Sequence, residues 1–531
     1  MTGLAARATR LGPAFDLLAG YREGGFFLER SGLGLATSGE VDRVAAEAGP
    51  ERILRLSRSI LEALASIEAE PGAPSAAAVA SIPFDDRQPA EAVLPRRATM
   101  RLDAGETWQV EIAPRGETPH AGERERWAGR TLPHDAFEEI QLRPDPEPDE
   151  YAAAVGRATE RIRSGELRKV VLARTMLVNA DRTLEPKQLL WRLRAVDADC
   201  YAFAAPQPNA VTGSVLVGAT PELLLRRRGR LVEATPLAGS SQRFGDAARD
   251  RASADRLFRS GKDREEHAVV VQDVRRILDA FCEDLVHPHE PELLGTANVW
   301  HLATPFRGRL HDPSVAALEL VAALHPTPAV CGSPRETARE ALEDLEPIDR
   351  GGYAGPVGWM DANGDGEWAI ALRCAEITGS MARLFAGAGI VADSEPEAEL
   401  DETERKFRAL LDQLPLEAPV PLAEVAREGA PLFLAAAEDL LRYPAWGAAM
   451  ISAGAAAAAI VPVWANGELR GVLGLAWPEA RVFDEDERAF VLTLGVMCAQ
   501  AIMRAHLRAA EQTASESAMV AREVAERANA A

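Results

Sequence analysis

The spacing of apolar residues predicts a chain that mixes strands with amphipathic helices. A continuous apolar run predicts a buried strand over 169–178, and helical spacing predicts a helix over 260–285 that begins at a Ser260 cap paired with Asp263. Further strands are predicted over 26–28, 33–36, 77–84, 100–112, 215–218, 223–226 and 383–391. Further helices are predicted over 51–67, 149–164 and 396–414, and a hairpin over 353–376. This pattern predicts a mixed α/β (α+β) fold.

Two segments rich in proline and acidic residues interrupt the pattern. Residues 140–150 and 417–431 are expected to be linkers or excursions. After the second of them the composition changes and becomes rich in alanine. We therefore predict a large domain over 1–416 and a smaller one over 432–531.

The smaller segment has its own pattern. It predicts two strands joined by a turn at Asn466-Gly467, followed by a long helix. The helix carries an apolar stripe that either pairs with a second copy of the chain, giving a homodimer, or covers the segment's own sheet. The stripe consists of Val491, Leu494, Cys498 and Ile502.

The charge of the chain restricts its partners. Of 531 residues, 59 are Lys or Arg and 81 are Asp or Glu, which gives a net charge of −22. Such a chain repels phosphate backbones and anionic lipid, so neither nucleic-acid binding nor membrane binding is expected. A small anionic substrate would need local cations or a bound metal ion.

The five cysteines are dispersed, with no CxxC spacing, which argues against a disulfide framework or a zinc site. The first residues carry no apolar signal-peptide core. Both features are typical of a cytoplasmic protein.

Three motifs suggest chemistry that their context does not support. The DANGDG run beginning at Asp361 resembles half of a calcium loop, but Leu372 stands where the bidentate Glu belongs, so a hairpin turn is favoured. The GAGIVA run beginning at Gly387 fits a dinucleotide pattern, yet the strand continues where a helix should open. His287 and His289 have no third ligand nearby, which favours a solvated loop.

Two pairs of carboxylates have helical i, i+3 spacing. Asp263 and Glu266 share one helix face, and Glu399 and Glu402 share another, with Lys406 one turn beyond. Either pair alone is usually a solvated helix face. Facing each other, the two pairs would suit a hard divalent cation such as Mg²⁺ that retains several waters.

Two further residues could provide acid–base chemistry. Lys169 lies on an otherwise apolar strand, where burial would disfavour its charged form and make it a candidate general base, although a strand-end lysine that reaches solvent is the alternative. Glu222 lies at a turn before an apolar strand. If buried and protonated, it is a candidate general acid, and otherwise it is an ordinary turn glutamate.

The order of motifs resembles the chorismate-utilising enzymes, and within them the isochorismate synthases. The resemblance covers nearly all of residues 1–415, and the C-terminal segment resembles the last part of a GAF domain. The motifs, in order, are RKVVLAR, GATPELLLRR, TPLAGSSQR, GKDREEH, WHLATP, LHPTPAVCGSP, GYAGPVGWMDANGDGEWAIALRCA and FAGAGIVADSEPEAELDETERKF.

The resemblance implies a fold with two β-sheets and outer helices, plus a small α/β module. It also implies a reaction that moves a hydroxyl group on chorismate. Lys169 would activate the water that attacks ring carbon C2, and Glu222 would protonate the departing C4 hydroxyl. Mg²⁺ would be held directly by Glu266 and Glu402 and through water by Asp263 and Glu399. Substrate contacts would come from Gly239, Ser240, His301, Ala329, Tyr353, Arg373, Gly387, Gly389 and Lys406.

Other activities within this family stay open from the sequence. Salicylate synthases, which also eliminate pyruvate, typically carry threonine where this chain has Ala329, so we expect the reaction to stop at isochorismate. The product would serve 2,3-dihydroxybenzoate siderophores or menaquinone. A non-catalytic sensor or scaffold linked to a GAF domain is the alternative of another class, but Lys169, Glu222 and all four carboxylates are present.

Overall fold

The computed structural model shows two compact units, residues 1–416 and 417–531. In the first unit it describes residues 3–12, 15–69, 74–103, 105–115, 140–207, 213–244 and 246–414. In the second it describes residues 425, 430–440, 443, 450–451, 454–465, 468–501 and 504. The predicted linker over 417–431 and the Asn466-Gly467 turn therefore lie largely or wholly outside the described residues.

The first unit is built mainly from antiparallel strands. The strands are β1 (Leu4–Arg10), β2 (Phe27–Arg30), β3 (Leu33–Ala46), β4 (Ala77–Ser81), β5 (Ala90–Arg101), β6 (Trp108–Pro114), β7 (Ile140–Asp145), β8 (Lys169–Ala180), β9 (Tyr201–Pro206), β10 (Val215–Thr220), β11 (Leu223–Arg228), β12 (Leu231–Thr235), β13 (Leu237–Gln242), β14 (Cys282–Val286), β15 (Glu292–Gly295), β16 (Val299–Ala303), β17 (Phe306–Leu310), β18 (Gly332–Ser333), β19 (Pro356–Asp361), β20 (Gly366–Ile370), β21 (Cys374–Thr378) and β22 (Met381–Ile390).

Its helices connect these strands and pack outside them. They are α1 (Leu17–Gly20), α2 (Arg52–Ala65), α3 (Pro148–Arg163), α4 (Pro186–Val196), α5 (Ala247–Arg259), α6 (Gly261–Leu278), α7 (Ala317–Leu324), α8 (Arg335–Leu345) and α9 (Pro396–Leu411). None of the helices in the described part of the chain is long and apolar enough to cross a membrane.

The strands form two branches that meet at β5. One branch runs β3–β2–β9–β10–β21–β22–β8–β7, and the other runs β4–β19–β20–β11–β12–β17–β14. β3 and β4 both pair with β5, so hydrogen bonds connect the branches. β13, β15 and β16 form a separate three-stranded sheet. The expected two sheets are therefore the two branches of one network.

Apolar side chains of both branches join in the largest core cluster, which includes Phe203, Trp359 and Trp368. A second cluster covers the other face of β8 and β22 with α3 and α8, through residues such as Val155 and Leu342. The strand β8 is covered on both faces, which explains why it is mostly apolar and why apolar residues fill 170–173 and 176–178.

Three predicted elements have different bounds in the structure. The helix over 260–285 ends at Leu278, because residues 282–286 pair with β17 as strand β14. Residues 140–150 are not a linker, since they form β7 and the first turn of α3. Residues 100–112 are the end of β5 and the start of β6, which pair with each other.

Two local predictions are confirmed. The Ser260 hydroxyl accepts a hydrogen bond from the Asp263 amide at 3.2 Å, which caps α6. The hairpin after residue 353 consists of β19 and β20, and the Asp361 carboxylate accepts hydrogen bonds from the amides of Asn363 and Asp365 in its turn. The DANGDG run is therefore a hairpin turn.

The second unit contains a three-stranded antiparallel sheet. Its elements are β23 (Leu432–Leu434), α10 (Ala437–Leu440), β24 (Ala457–Ala465), β25 (Glu468–Trp477) and a final helix, α11, over 485–501. Alternate residues of β24 face two clusters, with Ala458 and Ile460 in one and Ala459 and Val461 in the other. Both faces of the sheet are thus apolar.

In α11, Val491 packs against Val461, and Cys498 packs against Val463. These contacts favour the alternative in which the predicted stripe covers its own sheet. Leu494 is half-buried, and Ile502 lies outside the described residues.

Candidate active site

All of the predicted site residues except Lys169 line one cavity of about 120 Å³. Two helices and three strands bring them together from distant parts of the sequence. α6 carries Asp263 and Glu266, α9 carries Glu399, Glu402 and Lys406, β13 carries Gly239 and Ser240, β16 carries His301, and β22 carries Gly387 and Gly389, while Glu222, Ala329, Tyr353 and Arg373 lie in connecting segments.

Lys169 begins β8 and lies directly behind the cavity wall. Its side chain is fully buried, and its Nζ lies 2.9 Å from Oε1 of Glu266. This is an ion pair without hydrogen-bond alignment. The alternative of a lysine that reaches solvent is therefore wrong for this structure.

The absence of a side chain at Gly389 makes this arrangement possible. A Cβ added there would lie 2.3 Å from Oε1 of Glu266 and 3.1 Å from Cε of Lys169. The glycine in GAGIVA thus gives the carboxylate room beside the strand.

Glu222 lies in the turn between β10 and β11 and is 2% exposed. Burial raises the pKa of its carboxyl group to about 8, although a backbone hydrogen bond at Leu237 and the charge of Lys169 act in the opposite direction. The carboxyl group is therefore mostly protonated at neutral pH, as a general acid requires.

Two of the four carboxylates on α6 and α9, Asp263 and Glu399, are disfavoured in their charged form. Burial raises the pKa of Asp263, and the charges of Glu266 and Glu402 add to that effect. Burial and the charge of Glu402 likewise raise the pKa of Glu399. Negative charge is thus concentrated around the cavity in a way that a cation would relieve.

Two lysines partly neutralise this charge. Lys262 donates a hydrogen bond to Glu399 at 2.7 Å, and Lys406 donates one to Glu402 at 2.7 Å and another to the Gly387 carbonyl at 2.8 Å. Burial would raise the pKa of Glu402, but Lys406 and a 3.0 Å hydrogen bond from Ser240 hold it below its ordinary value.

The donor chemistry of this cluster fits Mg²⁺. All four groups are carboxylates, and Mg²⁺ prefers oxygen ligands and takes few of them directly from protein. Among the described residues, no three His, Cys, Asp or Glu side chains are close enough to form a complete ligand group. The set therefore fits a cation that is held by one or two carboxylates and completed by water and substrate.

The opposite side of the cavity is cationic. Arg373 is half-buried, has a φ of 48°, and donates hydrogen bonds to the Thr296 hydroxyl at 2.9 Å and to Nε2 of His301. His301 in turn contacts the Gly239 carbonyl through Nδ1 at 3.3 Å. Burial, Arg373 and Lys406 hold the pKa of His301 well below its ordinary value, so the imidazole is neutral.

An aromatic pair lies beside the glycines of β22. The rings of Tyr353 and Phe385 stack at 5.0 Å with an interplanar angle of 8°. A Cβ at Gly387 would lie 3.0 Å from the Tyr353 hydroxyl, so this glycine leaves room for the tyrosine.

Sequence reasoning missed Lys262 and Phe385, which line the cavity, and Thr296, which accepts a hydrogen bond from Arg373. Lys262 is adjacent to Asp263. It could have been noticed because lysine is rare in this chain. Thr296 carried no signal, because only the fold brings it to Arg373.

Other features are separate from this site. A larger cavity, about 990 Å³, lies over β7, β8, β21 and β22 and contains none of the predicted residues. Nδ1 of His287 contacts the carbonyl of Pro288, and its ring packs against Phe306, so this histidine has local partners.

Comparison with known proteins gives two family matches and several similar chains. A family model described as chorismate binding enzyme matches residues 116–415, and a GAF domain model matches residues 331–503, which overlaps the first match. The chain is 40% identical over 401 residues to isochorismate synthase DhbC of Bacillus subtilis, covering 75% of this chain and 95% of that protein.

Two solved structures are also similar. One is described as the 2,3-dihydroxybenzoate-specific isochorismate synthase DhbC from Bacillus anthracis, with 34% identity, a TM-score of 0.65, and coverage of 76% of this chain and 99% of that one. The other is the menaquinone-specific isochorismate synthase MenF from Escherichia coli, with 25% identity, a TM-score of 0.65, and coverage of 78% and 95%.

The fold and the site define an enzyme of mixed α/β architecture with a buried lysine, a buried glutamate and a carboxylate cluster at one cavity. The chain belongs to the chorismate-binding enzyme family. The resemblance drawn from the motifs is thereby confirmed.

Proposed function

We propose that this chain is an isochorismate synthase, an isomerase that converts chorismate to isochorismate with the help of Mg²⁺. The observation that carries the proposal is that two buried titratable groups lie at one cavity: Lys169, which contacts Glu266, and Glu222, whose pKa is raised to about 8. A base and an acid of this kind around one cavity suit the exchange of a hydroxyl group between two ring positions. The similarity to DhbC and MenF supports the same reaction.

The proposed steps use the residues as they are placed. Lys169, as the base, removes a proton from a water molecule, whose oxygen bonds to C2 while the two conjugated ring double bonds each shift by one position toward C4. The bond between C4 and its hydroxyl breaks, and Glu222 gives its proton to the departing group, which leaves as water. The amine of Lys169 contacts Glu266. In the proposed reaction, Lys169 acts on the substrate through the water molecule that it activates. Bonds of the same kind form and break, so the reaction should be reversible.

The substrate carries two carboxylates, and the cavity offers two cationic regions for them. Arg373, held by Thr296 and His301, would bind one carboxylate. Glu266 and Glu402 would hold Mg²⁺ directly, and Asp263 and Glu399 would hold its waters. When bound, the cation would neutralise the ring carboxylate of chorismate and fix its position. Ser240, Lys406 and Tyr353 would complete the substrate contacts.

The direct test is to incubate the purified full chain with chorismate and MgCl₂ and to separate the products by chromatography. We expect isochorismate as the main product. In the reverse direction, isochorismate supplied as substrate should give chorismate. EDTA should remove the activity and excess Mg²⁺ should restore it, whereas a Glu402→Ala variant should stay inactive with Mg²⁺. Salicylate as the main product, or turnover that survives chelation, would contradict the proposal.

Similar proteins serve two different pathways, so they suggest two uses for the product of this chain. DhbC of Bacillus anthracis is described as specific for 2,3-dihydroxybenzoate, and MenF of Escherichia coli as specific for menaquinone. We propose that the isochorismate made here serves one of these two pathways. Neighbouring genes for a ligase that activates 2,3-dihydroxybenzoate would identify the first.

A further inference from the structure

Arg174 is a fully buried arginine that no step of the proposed reaction uses. It lies on β8, opposite Ala386 of β22. Its guanidinium lies over the rings of Tyr151 and Phe407, with its central carbon 5.5 and 5.1 Å from their centroids.

All of the hydrogen bonds and ion pairs that its side chain makes in the described structure are to α9. Nε donates a hydrogen bond to the Thr403 hydroxyl at 2.8 Å, and Nη2 pairs with the carboxylate of Glu404. The remaining nitrogen, Nη1, is buried without a hydrogen-bond partner in the described structure. Because a buried charge with incomplete partners is costly, stability alone is a poor explanation for an arginine here.

The residues that Arg174 contacts alternate along α9 with residues of the active site. Thr403, Glu404 and Phe407 flank Glu402 and Lys406, which line the cavity. With side chains extending about 5–6 Å from the helix axis, a rotation of about 20° would move their ends by about 2 Å. Site geometry tolerates only about 0.5 Å.

We propose that Arg174 is a positioning residue that fixes the rotation of α9 and thereby places Glu399, Glu402 and Lys406 around the cavity. Its planar guanidinium contacts Thr403 and Glu404 at the same time, while the two aromatic rings hold the plane of the guanidinium in place. Lysine at this position would keep the positive charge but could not make both contacts in one plane. The inference rests on the proposed function, because it concerns the carboxylates that would hold Mg²⁺.

The test measures Mg²⁺ binding by calorimetry rather than turnover. All chains carry Glu222→Gln, so that chorismate can be present without being consumed. We expect Arg174→Lys to raise the Kd for Mg²⁺ by about 10–100-fold, the range seen when a group that orients a metal ligand is removed. Thr403→Val, which removes one contact, should raise it less. Arg174→Met should keep or raise Tm while it weakens Mg²⁺ binding.

Arg227→Lys is the matched control. Arg227 is also a buried strand arginine, but it pairs with Asp365 at 2.8 Å in the hairpin turn, away from the cavity. The Arg227→Lys substitution should leave the Kd for Mg²⁺ unchanged.

Two results would overturn the inference in different ways. If Arg174→Lys and Thr403→Val lower Tm but leave the Kd for Mg²⁺ within twofold, Arg174 has a purely structural role and the proposed function stands. If the parent chain binds no Mg²⁺ and the wild-type chain does not convert chorismate, the proposed function fails and this inference fails with it.

Discussion

Lysine is rare in this chain, and its placement follows the site. Only four of the 59 basic residues are lysines, and three of these, Lys169, Lys262 and Lys406, each contact a carboxylate of the cavity cluster. Arginine provides the charge almost everywhere else. A compact amine that can lose its proton is suited to chemistry, whereas arginine stays charged. This bias was a sequence signal for Lys262 that motif reading did not use.

The first prediction concerns the base. Lys169→Ala should reduce isochorismate formation by about 10²–10⁴-fold, because a positioned base contributes about that much. The rate of product formation at saturating chorismate measures the loss. Lys187→Ala, at a lysine outside the site that contacts the Tyr21 carbonyl, should leave the rate near the wild-type value. Near-normal turnover by the Lys169 variant would exclude it as the base.

The second prediction concerns the acid. Since the Glu222 pKa is raised to about 8, its proton is present below that pH and lost above it. The forward kcat should therefore fall as pH rises through about 8, and the profile of kcat against pH would show it. An Asp361→Asn variant in the distant hairpin should keep the same profile. A kcat that falls only below pH 5 would point to a carboxylate that acts in its charged form.

The third prediction uses the same shift as a statement about stability. A carboxyl group whose pKa rises on folding contributes stability below its unfolded value, near 4.3, and that contribution is lost as pH rises toward about 8. Glu222→Gln cannot ionise, so its Tm should match that of the wild type near pH 4.5 and exceed it by several degrees near pH 8. Equal Tm values across this range would show that Glu222 is not desolvated.

At the scale of elements, the sequence predicted whether a segment forms a strand or a helix better than it predicted where that element ends. The mostly apolar sequence of β8 and the cap of α6 at Ser260 are local signals, and the strand and the cap are both confirmed. The end of α6 is different, because β14 exists only through pairing with β17, which begins at Phe306. Such long-range pairing overrides helical spacing and leaves no local mark.

The site shows the same division. Glu222, Lys169 and the carboxylates of α6 and α9 could be named as candidates because each has an unusual side chain for its local pattern. The ion pair between Lys169 and Glu266 could not, because it depends on the register of β8 against β22 and on the position of α6. Family resemblance identified the residues, and the fold shows which of them touch.

The fourth prediction concerns the strand β22. Gly389→Ala should strongly reduce activity while the protein remains folded, because the new methyl group would displace the flexible carboxylate of Glu266 rather than backbone. Assays of kcat together with Tm measure the two effects. Gly156→Ala is the control, since its Cβ would meet nothing within 4 Å and alanine favours a helix by about 0.5–1 kcal/mol. Full activity in the Gly389 variant would show that the reaction does not require the Glu266 carboxylate to lie beside residue 389.

At the scale of the whole molecule, the charge distribution opposes the proposed substrate. The chain has a net charge of −22, and a dianion would approach it against that field. Physiological salt screens exposed charges beyond about 8 Å, so the repulsion is short-ranged. Inside the cavity, Arg373 and the lysines act at close range, where a cation held by the carboxylates would add to them.

The last prediction separates the two units. Every residue assigned to the site lies in the unit over 1–416, and the sheet and α11 of the second unit have apolar clusters of their own. A chain cut after residue 416 should therefore keep its kcat and KM for chorismate within about threefold, and Tm should show that it is folded. Light scattering of the full and shortened chains would show whether the second unit sets the number of copies per particle. Because Val491 faces its own sheet, we expect that number to stay the same unless another surface of α11 pairs. Loss of turnover at an unchanged number of copies would mean that the second unit supports the active site, and that the boundary at 416 does not separate two independent units.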